Sequence, residues 1–189
     1  MVQQQRATGK ITRRSGGRRK SVTASLLCAA LLVPFEAHAA PALIKLAVFD
    51  FEIEDFSAGA SSTGATPSDA TQLANVTEMV RRLLTQSGRY RLIDVGGVDA
   101  PAVKTHTLRE CNGCDAGIAL KLGAEQSFVG IVSRISRTEY IVKFQVRDAR
   151  TGTVVVDGDS GLRMGADYSW SRGAAGLIKD RLLEGRPEQ

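Results

Sequence analysis

The sequence predicts an α/β fold: a mixed β-sheet with helices packed on it, in the order β-α-β-α-β-β-β-α. Three observations carry this. Runs rich in β-branched and aromatic residues recur at strand length. Stretches between the early runs repeat their apolar residues at helical spacing. The last three strand-like runs follow one another through short turns, which reads as an antiparallel meander.

Ile44 to Ile53 opens the domain as a strand with apolar residues on both faces near its start. Toward its end, strict alternation puts Asp50 and Glu52 on one face and Phe49, Phe51 and Ile53 on the other. Ser57 to Ala65 is small, polar and Gly-containing, a loop. Thr66-Pro67-Ser68-Asp69 starts a helix: Thr66 can cap, Pro67 suits the first position, and Asp69 favours the positive helix end. Leu73, Val76, Val80, Leu83 and Leu84 form its apolar face, with Arg81 and Arg82 opposite, and Gly88 ends it. Arg89 to Val95 is a short strand, and Gly96 to His106 a loop without a clear period. Asp115 to Leu122 is a short helix stopped by Gly123.

Three strands follow, Gln126 to Ile135, Tyr140 to Asp148 and Thr153 to Asp157. A hairpin at 136–139 joins the first pair, and Asp148 to Gly152 the second, with Gly152 free to take positive φ. Gly158 to Gly165 reads as a strand end and loop. Asp167 or Ser169 can cap a last helix whose apolar side is Trp170, Ala174, Leu177, Ile178 and Leu182.

Residues 1–39 have the form of a cleavable export signal. Arg13, Arg14, Arg18, Arg19 and Lys20 give a basic start, Ser21 to Phe35 an uncharged run, and Ala37-His38-Ala39 a small-x-small cleavage pattern. Cleavage between Ala39 and Ala40 would leave a single α/β domain over 40–189, with its ordered core at about 44–184, in the periplasm. The apolar run is shorter than the roughly 20 residues of a membrane span, and Pro34 closes it, so no stable membrane insertion is expected after cleavage. Cys28 follows Leu27, where a lipobox carries a small residue. Neither arginine pair is followed by the aromatic and leucine residues of a twin-arginine signal, which favours the Sec route over Tat.

Removing the signal changes the charge. Seven of the 25 Lys and Arg and one of the 20 Asp and Glu lie in residues 1–39, which leaves 18 basic and 19 acidic residues and a formal net of −1. The basic pI of the whole chain therefore does not argue for a nucleic-acid partner.

Four phrases carry a resemblance: LAVFDFE at 46–52, RRLLTQSGRYRLID at 81–94, LGAEQSFVGIVSR at 122–134 and VRDARTGTVV at 146–155. They resemble the N-terminal domain of the periplasmic protein TolB and, more distantly, the CsgG-like and penicillin-binding-protein-activator domains. The chain is more similar still to an uncharacterised family of small exported bacterial proteins, whose pattern includes C-x-G-C-D at 111–115. The resemblance implies a non-enzymatic envelope module that binds other proteins, with no catalytic residues to transfer. The chain is expected to depart from TolB in having no β-propeller, and from the CsgG-like proteins in having no lipid anchor.

Cys111 and Cys114 are the sharpest chemical feature. Without Cys28 the cysteines are even in number, as an oxidising compartment favours. A structural disulfide pinning 108–115 is favoured over a redox-active pair, although a helix starting after Cys114 would stabilise a thiolate. Zinc is disfavoured, because His106 is the one histidine after residue 39. Asp50, Glu52, Glu54 and Asp55 cluster at the end of the first strand, where open α/β sheets bind ligands. A cation, a small ligand or a basic partner segment could sit there, and a merely solvated strand end is the plainer reading. No nucleophile-elbow motif presents Ser57, Ser61, Ser62 or Ser87 to His106, and the glycines at 158–165 lack a phosphate-binding pattern. Tyr168 and Trp170 could anchor a partner, though Trp170 at helical spacing with Leu177 more often belongs to a core. The expectation is an envelope accessory module without cofactor or metal. The alternatives are a thiol-disulfide protein using Cys111 and Cys114, and a ligand- or cation-binding protein using Asp50 to Asp55.

Overall fold

One six-stranded mixed sheet organises the chain in the computed structural model, which describes residues 42–57, 66–136, 138–163 and 168–185. The signal, Cys28, the Ala39/Ala40 cleavage point, residues 58–65 and the Asp167 cap lie outside the described residues. The strands are β1 (Ile44–Val48), β2 (Glu52–Asp55), β3 (Tyr90–Ile93), β4 (Gln126–Arg134), β5 (Glu139–Asp148) and β6 (Val154–Arg163). The helices are α1 (Pro67–Gln86), α2 (Pro101–Lys104), α3 (Cys114–Lys121) and α4 (Tyr168–Leu177), which continues as a π-helical turn over Ile178–Leu183. The sheet order is β3-β1-β4-β5-β6, with β2 also on β4. Pairing is parallel for β1 with β3 and β4 and for β2 with β4, and antiparallel through β4, β5 and β6. The expected mixed sheet with a closing meander is the fold observed.

Two cores sandwich the sheet. On one face Val76, Val80 and Leu84 of α1 and Trp170, Ala174 and Leu177 of α4 cover Leu46, Val48, Phe128, Val132, Val142 and Phe144. Phe128 stacks on Phe144 with centroids 5.5 Å apart. On the other face, Leu108 and Ala119 cover Ala47, Phe49 and Val129. The capping signature of α1 forms as a reciprocal box: Thr66 Oγ1 accepts from the Asp69 N–H at 3.2 Å, and Asp69 Oδ2 accepts from the Thr66 N–H at 3.0 Å.

Three expectations change. The first strand is broken, because Val48 pairs with Phe128 and Glu52 with Ile131: four steps on one chain match three on the other. The extra residue is a bulge, and it reverses which parity faces which core. Phe49 therefore packs on the α3 side while Phe51 and Ile53 turn to the α1 side. Phe51 then lies over Gly130, where any Cβ would overlap its ring. Second, the loop after β3 contains α2 and a 3₁₀ turn at Leu108–Glu110. Third, β6 runs through Gly158 to Arg163 instead of ending at Asp157. Antiparallel pairing with β5 continues there, and Gly158 leaves room for Arg181 and Phe144.

Candidate functional site

The bulge turns the four acids of the first strand into four separate anchors. Asp50, at the break, accepts from Arg81 of α1 at 3.0 Å, and the same guanidinium nitrogen reaches Val48 O at 2.9 Å. Glu52 is 1 % exposed. Its carboxylate accepts from the Leu108 N–H at 2.7 Å, the Arg109 N–H at 3.1 Å and the Arg109 guanidinium at 3.0 Å. Glu54 accepts from Ser133 Oγ at 2.8 Å, with Lys143 at 3.6 Å and Arg109 at 4.0 Å. Asp55 faces the other side, on Arg134 at 2.8 Å, and Arg134 also pairs with Asp69 of the helix cap.

Burial works to raise the Asp55 carboxyl pKa. The Ser57 hydroxyl and amide, with Arg134, outweigh it and hold the group below its ordinary value. Burial likewise works to lower Arg134, and its hydrogen bonds to Tyr140 and Asp55, with the Asp69 charge, hold it above the usual guanidinium range. The simple solvated-end reading is therefore corrected: Glu52 is buried, and every member of the cluster has a basic partner. Among the described residues no group of three or more His, Cys, Asp and Glu is placed to hold a metal ion.

Asp50 and Glu52 of the cluster lie in the floor of a groove. β3 ends at Ile93 opposite Ala47, so among the described residues the outer edge of β2 has no neighbouring strand. A cavity of about 750 Å³ runs along this edge. Its floor is the chain from Asp50 to Ile53, one side is α1 from Ala70 to Arg81, and the other is Thr105, His106 and Arg109. A smaller cavity of about 420 Å³ lies beyond the ends of β1 and β3 and shares Asp50 and Arg81 with the first. This smaller cavity lies at strand carboxyl ends, where open α/β sheets commonly bind ligands.

The second wall is held from both sides. The Glu52 carboxylate grips Leu108 and Arg109, and a Cys111–Cys114 disulfide with Cα atoms 5.6 Å apart closes the next turn. Both cysteines pack into the smaller core, as does Leu108. Asp115, on the first turn of α3, accepts from Ser127 Oγ at 2.5 Å and lies 3.7 Å from Arg147, which fixes the helix to β4 and β5. Of the two aromatic residues at the start of α4, Trp170 is 1 % exposed and packs 5.3 Å from Tyr140, so the surface-anchor reading of Trp170 gives way to a core role. The side chain of Tyr168 lies outside the described residues.

A family model, DUF3280, described as a protein of unknown function (DUF2380), matches residues 44–182. The chain belongs to this family. No curated protein matches it. Among solved structures, this DUF3280 chain is similar to the LpoB C-terminal domain from Salmonella enterica, at 17 % identity over 68 % of this chain and 88 % of that one, with a TM-score of 0.46. It is also similar to TolB from Acinetobacter baumannii, at 15 % identity over 79 % of this chain and 29 % of that one, with a TM-score of 0.47. PelC from Paraburkholderia phytofirmans, a dodecamer, matches at 20 % identity over 79 % and 96 %, with a TM-score of 0.42. Among the described residues of the DUF3280 chain, no helix is long and apolar enough to cross a membrane.

Sequence reading found the acids of this site but not their partners. Arg81 was visible on the polar side of α1. Arg109, Arg134 and Lys143 lie 57, 79 and 89 residues along the chain from their partners Glu52, Asp55 and Glu54, and only the assembled fold brings them together.

Proposed function

We propose that the protein is an exported, non-enzymatic binding module that supports assembly or stability of a cell-envelope complex through the groove beside β2. The groove is the observation that carries this reading. It is open, its floor includes the apolar side chains of Phe51 and Ile53, and two of its carboxylates, Asp50 and Glu52, are neutralised by Arg81 and Arg109. Such a surface suits recognition of a ligand by shape and hydrogen bonds. The export-signal pattern of residues 1–39 and the phrases shared with TolB-type domains support the compartment and the accessory role.

The buried Glu52 and the disulfide fit a binding wall better than a reactive centre, because each immobilises the segment from His106 to Cys114. Mild crosslinking in the intact envelope, followed by purification, tests the reading. Recovery of one specific envelope protein is the expected outcome, and repeated recovery of monomer alone would count against it.

A further inference from the structure

The backbone of β2 indicates what the groove takes. Phe51 and Phe56 lie at opposite parity and donate in opposite directions: the Phe51 N–H goes to Thr77 Oγ1 of α1 at 2.9 Å, and the Phe56 N–H to Arg134 O of β4 at 2.8 Å. Strand alternation therefore turns the N–H and C=O of Ile53, two residues after Phe51, away from β4 and toward the groove that Ile53 lines. The Thr77 hydroxyl closes this edge at Phe51 and, among the described residues, leaves Ile53 as the open rung. An unpaired edge between two walls is a template for another strand.

Charge selects the strand. Of the three carboxylates lining the groove, Glu52 is saturated by Arg109 and two amides, and Asp50 shares Arg81. Glu78 is exposed on the α1 wall with no basic partner among the described residues. Leu73 and Ala74, one turn before it, offer small apolar surface.

Resting on the binding-module reading above, we infer that the groove binds an extended basic segment of a partner protein as an added strand on β2. Its backbone pairs with Ile53, a Lys or Arg side chain meets Glu78, and an apolar side chain two residues away on the same face covers Leu73 and Ala74. Side chains two residues apart on the added strand share a face, so the ligand is defined by a basic and an apolar residue in a basic-x-apolar spacing.

The test is a titration of ¹⁵N-labelled protein with the end-blocked peptide Lys-Thr-Val-Thr-Lys-Thr, which carries its Lys and Val residues on one face, followed by amide shifts and hydrogen exchange. Slower exchange at the Ile53 amide, with shifts confined to 50–53 and the groove face of α1, is expected. Methylating the peptide amides on one edge should weaken binding by about tenfold, the equivalent of one to two net hydrogen bonds. Glu78→Gln should weaken the basic peptide, and the same peptide with Glu in place of both Lys residues should not bind. Equal binding by the methylated peptide, shifts elsewhere on the surface, or no binding at millimolar peptide would overturn strand addition. A crosslinked envelope partner obtained alongside any of these results would leave the binding module standing and remove only its proposed mode.

Discussion

Replacing Glu52 with Gln tests the wall of the groove at its anchor. The substitution keeps the shape and turns one acceptor oxygen into a donor, which then faces either the Leu108 N–H or the Arg109 N–H and guanidinium. With the residue 1 % exposed, water cannot take over the lost bonds. Hydrogen bonds to a charged group contribute about 1.5–3 kcal/mol each, so three set a ceiling of about 5–9 kcal/mol. Desolvation of the carboxylate and guanidinium offsets part of this, and breaking a buried pair from one side costs about 3–5 kcal/mol. At a urea dependence of about 2 kcal/mol per molar, the unfolding midpoint should fall by about 2 M. Trp170, the single tryptophan and a core residue, reports the transition by fluorescence. The Leu108 and Arg109 amides should exchange faster in the variant under native conditions. A midpoint shift below about 0.5 M, with both amides as protected as before, would refute the anchoring role of Glu52.

Gly130→Ala should destabilise the domain by about 1–3 kcal/mol, since the new methyl meets the Phe51 ring; thermal unfolding checks this, and an unchanged midpoint would deny the close contact. The Asp55 carboxyl has a lowered pKa in the folded state, so its stabilising effect is present above the ordinary value of 3.8 and is lost as pH falls through the lower folded value. Urea midpoints measured from pH 6 to pH 2.5 should therefore fall more steeply for the wild type than for Asp55→Asn, and parallel curves would contradict the pairing with Ser57 and Arg134. Opening the disulfide by Cys111→Ser with Cys114→Ser should cost about 2 kcal/mol at most, because the loop it closes is so short; a larger loss in a urea titration would mean that the turn has a role beyond closing that loop.

The elements that the sequence declared best are those whose local chemistry is sufficient. Thr66-Pro67-Ser68-Asp69 contains a full capping box, and the Asp148 turn satisfies its own amides from the Asp148 carboxylate at 2.8–2.9 Å. Alternation in Tyr140, Val142, Phe144 and Val146 reads directly as the face covered by α1 and α4. The first strand was misread for a physical reason. A bulge is defined against the partner strand, and nothing in Phe49-Asp50-Phe51 alone shows that β4 is one residue shorter across it. The same limit applies to Glu52, whose partners Leu108 and Arg109 lie 56 and 57 residues further along the chain. Acids at a strand end announce polarity, but burial and pairing belong to the assembled sheet. The turns at 101–104 and 108–110 were illegible because three or four residues carry no period. Gly158 reads as a loop residue by composition and is instead a strand residue beside Phe144 and Arg181.

Position-resolved photocrosslinking in the native envelope tests the binding-module claim most directly. A photoreactive residue replaces Asn75, exposed on the groove face of α1, or Lys121, exposed at the end of α3 as a control. One envelope protein crosslinked from position 75 and absent from position 121 is the predicted result. Equal yields from both positions, or no adduct from either, would contradict a function carried by the groove.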